Sequence, residues 1–171
     1  MTRPVAVLVG PPGAGKTTIG QLLAERLGTN FRDVDHDIEA AAGKPISDIF
    51  VDDGEPAFRA LEVAAVRTAL ETHDGVLALG GGAVLAEATR KALTGHRVVF
   101  LDVGLSDAAD RVGLNTARPL LALNPRAALR TMLAERAPIY AEVATVTVTT
   151  DGRTPDDILA EVVAQLDEVP A

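Results

Sequence analysis

The chain has 171 residues, 47% hydrophobic and 23% charged, which suits one globular domain with a real core and excludes general disorder. Sixteen basic against 24 acidic residues give a net charge of −8, a poor match for a nucleic-acid backbone or an anionic membrane surface, though not for a small phosphorylated ligand held by a few placed cations. Cysteine is absent, so no disulfide frame or thiolate metal site exists, and with aromatics at 3% the core must be built from Ala, Val, Leu and Ile.

In chain order, Val5-Ala6-Val7-Leu8-Val9 is a continuous apolar run that predicts a buried strand. A Gly/Pro cluster follows, and then Ile19, Leu22, Leu23 and Leu27 recur at helical spacing up to a stop at Gly28. A short strand is expected over 30–32. From Asp35 to Leu70 the pattern is helical, broken at Gly43-Lys44-Pro45 and near Gly54. Val76-Leu77-Ala78-Leu79 predicts a second buried strand, ended by Gly80-Gly81-Gly82. A short helix over 86–93 leads to a strand over 97–103. Ser106 is a candidate cap for the next helix, which Gly113 ends.

Residues 114–125 have no clean period and read as a loop or mobile flap. A helix over 126–140, a strand over 145–149 and a helix opened by Thr154-Pro155-Asp156-Asp157 complete the chain. Alternating strands and helices with continuous apolar strands imply an α/β domain, its parallel sheet covered on both faces. No apolar run approaches a membrane span. The start, Met1-Thr2-Arg3-Pro4, lacks a signal-peptide layout, so a cytoplasmic protein is expected.

Gly10-Pro11-Pro12-Gly13-Ala14-Gly15-Lys16-Thr17 satisfies G-x-x-x-x-G-K-[ST] between a predicted strand and a predicted helix, the context the motif requires. Glycines let backbone N–H groups curl around phosphate oxygens, and the helix N-terminus adds its positive end. Lys16 is expected on the β- and γ-phosphates and the Thr17 hydroxyl on Mg²⁺. An empty Gly-rich turn is the bland alternative, and pattern and context together speak against it.

Asp33-Val34-Asp35 follows the second strand. In an extended segment, positions i and i+2 point to the same side. One carboxylate could hold a magnesium-bound water and the other orient an acceptor hydroxyl. Equally, both could simply favour the next helix N-terminus, and spacing does not separate the two readings. Asp102 competes for the metal: four apolar residues followed by Asp is the usual form of the second nucleotide-binding motif in ATPases. Gly80-Gly81-Gly82 ends another strand and allows close approach to backbone donors. Among the arginines, Arg59, Arg118 and Arg136 suit bidentate contact with carboxylate or phosphate. Arg118, in the flap, is placed to close over a transferring group.

In this order the residues resemble the shikimate kinase family, within the wider nucleoside-monophosphate-kinase-like group. The resemblance spans almost the whole chain. Its marks are the phosphate loop over 10–17, Asp33-Val34-Asp35, Ile46-Ser47-Asp48-Ile49-Phe50, Gly54-Glu55, Phe58-Arg59 with Glu62, and Leu79-Gly80-Gly81-Gly82-Ala83. To these it adds Asn115-Thr116-Ala117-Arg118-Pro119-Leu120-Leu121 and Arg136-Ala137-Pro138-Ile139-Tyr140. The resemblance implies a three-layer P-loop kinase fold: a five-stranded parallel sheet of order 2-3-1-4-5, helices on both faces, and a mobile lid. It implies one domain over 1–171, with a substrate-binding helical region at about 35–62 and the lid at about 112–125.

The implied activity is ATP-dependent phosphorylation of the shikimate 3-hydroxyl, on the route to chorismate and aromatic amino acids. ATP would be held by Gly13, Ala14, Gly15, Lys16, Thr17 and Thr18, with Arg111, Arg153 and Pro155 around the adenine and Arg118 reaching the phosphates. Thr17 and Asp33 would serve Mg²⁺. Shikimate would meet Asp35 at its hydroxyls, Arg59 and Arg136 at its carboxylate with Glu62 bracing Arg59, and the backbone of Gly80, Gly81 and Gly82. Lys16, Asp35 and Arg118 would be the catalytic set, and the family strand order makes Asp102 a strand-end acid. A monomer is expected. A gluconate-type kinase, a nucleoside monophosphate kinase and a nucleotide-binding regulatory module are the competing functions.

Overall fold

The computed structural model describes residues 2–111 and 125–170. The expected flap, Arg118 included, lies outside the described residues apart from Pro125, where a helix begins.

Strand β1 (Ala6–Val9) leads through the phosphate loop into helix α1 (Lys16–Leu27), which Gly28 ends in the left-handed conformation at φ 66°. Strand β2 (Phe31–Asp33) passes without a loop into α2 (Val34–Ala42), followed by α3 (Ile46–Asp53) and α4 (Glu55–Thr72). The breaks expected at Gly43 and Gly54 fall where positive φ is needed, 72° and 84°. Strand β3 (Val76–Ala78), a 3-10 turn (Ala83–Leu85), α5 (Glu87–Ala92), β4 (Val98–Asp102) and α6 (Leu105–Arg111) come next. Then α7 (Pro125–Val143), β5 (Val146–Thr149) and α8 (Pro155–Asp167) close the chain. Ser106 does not cap α6, which already includes Leu105. The Gly104 N–H just ahead of that helix donates instead to the Asp151 carboxylate, 2.8 and 2.9 Å from its oxygens, a partner 47 residues away in sequence.

All neighbouring strands run parallel, in the order β2-β3-β1-β4-β5. The period-2 alternation of each strand divides the core into two layers. Ala6 and Leu8 of β1, Ala78 of β3, Val99 and Leu101 of β4 and Val146 and Val148 of β5 pack with α1 and α8 on one face. Val7 and Val9, Leu77, Val98 and Phe100 pack with α2, α4 and Tyr140 of α7 on the other. The edge strand β5 buries only Val146 and Val148 and exposes Thr147 and Thr149, because one of its faces is uncovered.

The strands β2 and β3 approach closely at Gly75. A Cβ there would lie 2.1 Å from the Asn30 carbonyl oxygen and 2.8 Å from Thr29 Oγ1. Backbone cannot yield as a flexible side chain can, and Val76 N–H donates to that same carbonyl at 2.9 Å. Gly75→Ala is therefore expected to lower stability by about 1–3 kcal/mol, the usual cost of overpacking. Urea unfolding should show a lower midpoint at unchanged slope.

Candidate active site

Parallel strands place their C-terminal ends along one edge, and that edge gathers the polar residues singled out from sequence. The phosphate loop turns with Gly10, Gly13 and Gly15 at φ 152°, 82° and 93°. These angles suit glycine alone, and at Gly10 a Cβ would also meet the Leu101 carbonyl oxygen at 2.6 Å. Ala14 is buried, and the Lys16 ammonium curls back to donate to the carbonyls of Gly10 (2.6 Å) and Pro11 (3.0 Å). A cavity of about 350 Å³ opens in front of it, lined by loop residues with Thr17, Thr18, Asp33, Asp35, Gly80 and Gly81.

Asp33 and Asp35 reach this cavity differently from the extended pair expected. Asp33 ends β2 and caps α2, its Oδ1 accepting the Asp35 N–H at 2.9 Å, while Asp35 stands in the first helical turn. The free N–H groups at a helix start explain the change: capping begins the helix one residue earlier than an extended pair allows. The capping and cavity-facing readings therefore both hold for Asp33. Asp102 ends β4, on the opposite side of β1 from β3 and β2, and lines a separate cavity with Pro11, Arg130 and Tyr140. Its backbone carbonyl accepts from the N–H and hydroxyl of Thr150, at 2.8 and 3.0 Å.

The three glycines after β3 form a platform onto which side chains press. A Cβ on Gly80 would lie 2.8 Å from Asp35 Oδ1 and 3.1 Å from Glu62 Oε2. One on Gly81 would lie 2.9 Å from Pro12 Cδ, and one on Gly82 would lie 2.5 Å from an Arg59 nitrogen. Glu62 is 2% exposed and accepts from Arg59 Nη1 at 2.7 Å, with Glu55 3.7 Å from Arg59 Nε and the Phe58 ring 5.2 Å from the guanidinium carbon. Arg136, half-buried on α7, acts electrostatically on Lys16, Glu62 and Tyr140 and so belongs to the same cluster. The Tyr140 hydroxyl donates to the Gly81 carbonyl. Sequence reasoning assigned Tyr140 no role, and its one signal was its place in the Arg136-Ala137-Pro138-Ile139-Tyr140 motif.

Crowding these charges shifts their proton affinities. Burial pulls Lys16 down to about 8, against the opposing pull of Asp35 and Asp33. Burial, then the neighbouring charges of Asp33 and Glu62, raises Asp35 to about 6. Its Oδ1 is buried without a hydrogen-bond partner among the described residues. Burial also raises Glu62, against the pull of Arg59.

The two arginines expected at the adenine side are engaged with protein. Arg111 donates to the Gly13 carbonyl at 2.9 Å and lies 3.4 Å from both the Thr150 hydroxyl and the Thr150 carbonyl. Arg153 donates to the Thr149 carbonyl (2.9 Å) and to Glu161 (2.7 Å), beside Pro155 in the first turn of α8.

Known proteins are similar to this chain across nearly its full length. The family model for shikimate kinase matches residues 12–167. A shikimate kinase of Salinispora arenicola is 65% identical over 163 residues, 95% of this chain and 98% of that one. One of Thermobifida fusca is 60% identical over 170 residues, 99% of this chain and 97% of that one. Among solved structures, the shikimate kinase of Acinetobacter baumannii in complex with shikimate superposes with a TM-score of 0.89 at 36% identity, covering 98% of this chain and 94% of that one. With the phosphate loop, the acids after β2, the glycine platform and the Arg59–Glu62 pair gathered at one sheet edge, and relatives matching from end to end, the chain belongs to the shikimate kinase family.

Proposed function

We propose that the protein transfers the γ-phosphoryl group of ATP to the 3-hydroxyl of shikimate, giving shikimate 3-phosphate and ADP on the route to chorismate and aromatic amino acids. The observation that carries this reading is the arrangement around the glycine platform: Arg59 braced by Glu62 on one side, Asp35 and the phosphate loop on the other. A carboxylate-bearing polyol needs cations at one end and hydroxyl acceptors at the other. Arg59 and Arg136 serve its carboxylate, Asp35 its hydroxyls, and the backbone of Gly80, Gly81 and Gly82 allows close approach.

Lys16 exchanges its two loop carbonyls for phosphate oxygens, and Gly13, Ala14, Gly15, Thr17 and Thr18 complete the phosphate cradle. Because burial disfavours the charged ammonium, an arriving phosphate restores its proton affinity. Thr17 and Asp33 fit a hard cation: both are oxygen donors on the same cavity, and one Asp33 oxygen remains outside the cap bond. The described residues hold no cluster of three or more metal-ligating side chains, as suits Mg²⁺ that keeps waters and shares the nucleotide's phosphates. Bound there, Mg²⁺ supplies neutralisation of phosphate charge. Phosphoryl transfer through a loose transition state depends on positioning, so Asp35 acts chiefly by orienting the acceptor hydroxyl. The role expected of Arg118, on the phosphates, falls outside the described residues. Arg111 and Arg153 spend N–H groups on protein acceptors, so with Pro155 they offer the adenine flat faces. We place the enzyme in the cytoplasm as a monomer of one domain, acting on a small molecule without nucleic acid or membrane partners. Among the described residues no helix is long and apolar enough to cross a membrane.

ADP release from Mg²⁺-ATP, measured in parallel with shikimate, gluconate, nucleoside monophosphates and no acceptor, tests the reading. Stimulation by shikimate alone is expected, and stimulation by gluconate instead overturns the acceptor assignment. Arg59→Ala should raise the shikimate KM about a hundredfold or more and leave ATP binding within about twofold, since it removes a charge-assisted contact made only to the acceptor. Normal shikimate turnover in that variant rules out the clamp.

Asp35 also ties function to stability. Folding raises its pKa from 3.8 to about 6, so the folded state prefers the protonated acid. That preference is fully present below 3.8 and is lost as pH rises through about 6. Asp35→Asn should therefore be more stable than the parent at pH 8, by about 1–2 kcal/mol once partial solvent contact is allowed for, with the gain shrinking as pH falls through the same window. Urea midpoints of the metal-free protein across that range check the sign, while shikimate turnover in the variant should be lost.

A further inference from the structure

The Tyr140 ring is 1% exposed and packs on Phe100 of β4 with centroids 5.1 Å apart, so its hydroxyl is the one polar part of an otherwise apolar anchor. That hydroxyl donates to the carbonyl of Gly81. The Arg136 guanidinium, one turn earlier on α7, acts electrostatically on the same hydroxyl. With the proton committed to Gly81, the hydroxyl keeps its lone pairs, whose partial negative charge favours a cation nearby.

The Gly81–Gly82 peptide is the central peptide of a turn closed by the Ala83 N–H donating to the Gly80 carbonyl at 3.1 Å. Glycine at both central positions lets that peptide turn over, because glycine moves between backbone conformations that other residues avoid. Fixing the Gly81 carbonyl fixes the Gly82 N–H in the opposite direction, because the peptide is planar and trans. On the helix side, Pro138 lies inside α7 between Arg136 and Tyr140. It has no N–H to give the Ala134 carbonyl four residues back, so the turn that carries Arg136 is weakened just ahead of Tyr140.

We propose that Tyr140 is a positioning residue for the acceptor: its hydroxyl joins the glycine platform to α7, fixing the Gly81–Gly82 peptide to the helix that carries Arg136. The platform backbone is thereby held by a single oxygen, and a change at it alters acceptor binding without touching the phosphate loop. The inference rests on the acceptor-site reading above.

Tyr140→Phe keeps the ring on Phe100 and removes only the hydroxyl. The shikimate KM should rise about tenfold, the factor expected from leaving one partly buried carbonyl unpaired, with the ATP KM within about twofold and the melting temperature within a few degrees. An unchanged shikimate KM, or shikimate and ATP KM values that rise together, overturns the tether. The two readings fail differently. An unchanged shikimate KM in Arg136→Ala overturns both, whereas a raised KM there beside an unchanged one in Tyr140→Phe overturns the tether alone.

A second measurement avoids any loss of folding. Tyr140 is the chain's single tyrosine, so feeding difluorotyrosine during expression alters this one ring. Its phenol is far more acidic than that of tyrosine, burial beside Phe100 raises its pKa here, and the phenolate, which cannot donate to the Gly81 carbonyl, is followed directly by its absorbance. The groups that face it are Arg136 on its own helix and Arg59 on α4, with Asp102 and Arg130 lining the cavity beside the ring. The shikimate KM of the fluorinated protein should climb with pH, relative to the ordinary protein, in step with the phenolate absorbance. Profiles that stay parallel while the phenolate forms overturn the proposal.

Discussion

Three missing Cβ atoms organise this active site. At Gly80, Gly81 and Gly82 any side chain would overlap Asp35, Pro12 or Arg59, so each of these residues holds its place because the platform beneath it is bare backbone. A β-carbon at Gly80 would separate Asp35 from Glu62, and one at Gly82 would displace the Arg59 guanidinium. The phosphate loop comes from the β1–β2 connection, while the acid after β2 and the α4 arginine stand at opposite ends of the long helical β2–β3 connection. They meet because β3 lies between β2 and β1 and ends in residues that occupy almost no volume.

The cost of that convergence is electrostatic. Lys16, Asp35 and Glu62 all have their charged forms disfavoured by burial, while the Arg59–Glu62 pair and the capping bond of Asp33 recover part of the loss. In the proposed function, an acceptor hydroxyl and a phosphate complete the network where that penalty remains. Asp35 Oδ1, buried and without a partner among the described residues, is the sharpest instance. An active site of this kind holds stability below what the same fold could reach, and each unpaired atom is specific for the group that satisfies it.

Much of this was legible from residue order. Apolar runs located β1, β3 and β4, the short strands expected over 30–32 and 145–149 match β2 and β5, Gly28, Gly43 and Gly54 marked helix ends that demand positive φ, and the phosphate-loop pattern carried its own structural context. Local patterns failed where a distant partner intervened. Ser106 looked like a cap, but Asp151 takes the Gly104 N–H from across the sheet edge. Asp33 and Asp35 looked like neighbours on one extended face, but the helix begins between them. Tyr140 carries no local mark of its contact with Gly81, 59 residues away.

The sequence by itself determined the elements and their chemistry, because period-2 and helical patterns, glycine at positive φ and the phosphate-loop spacing are properties of short stretches. Through resemblance it also named the family, the strand order and the residues to examine. Only the tertiary structure decided which groups touch. It put Asp33 in a cap and at the cavity together, placed β4 on the far side of β1 so that Asp102 lines a separate cavity, and set Glu62 against Arg59 and Tyr140 against Gly81. Burial, and the proton affinities that follow from it, exist only once distant segments exclude water from one another, and no local pattern encodes that exclusion.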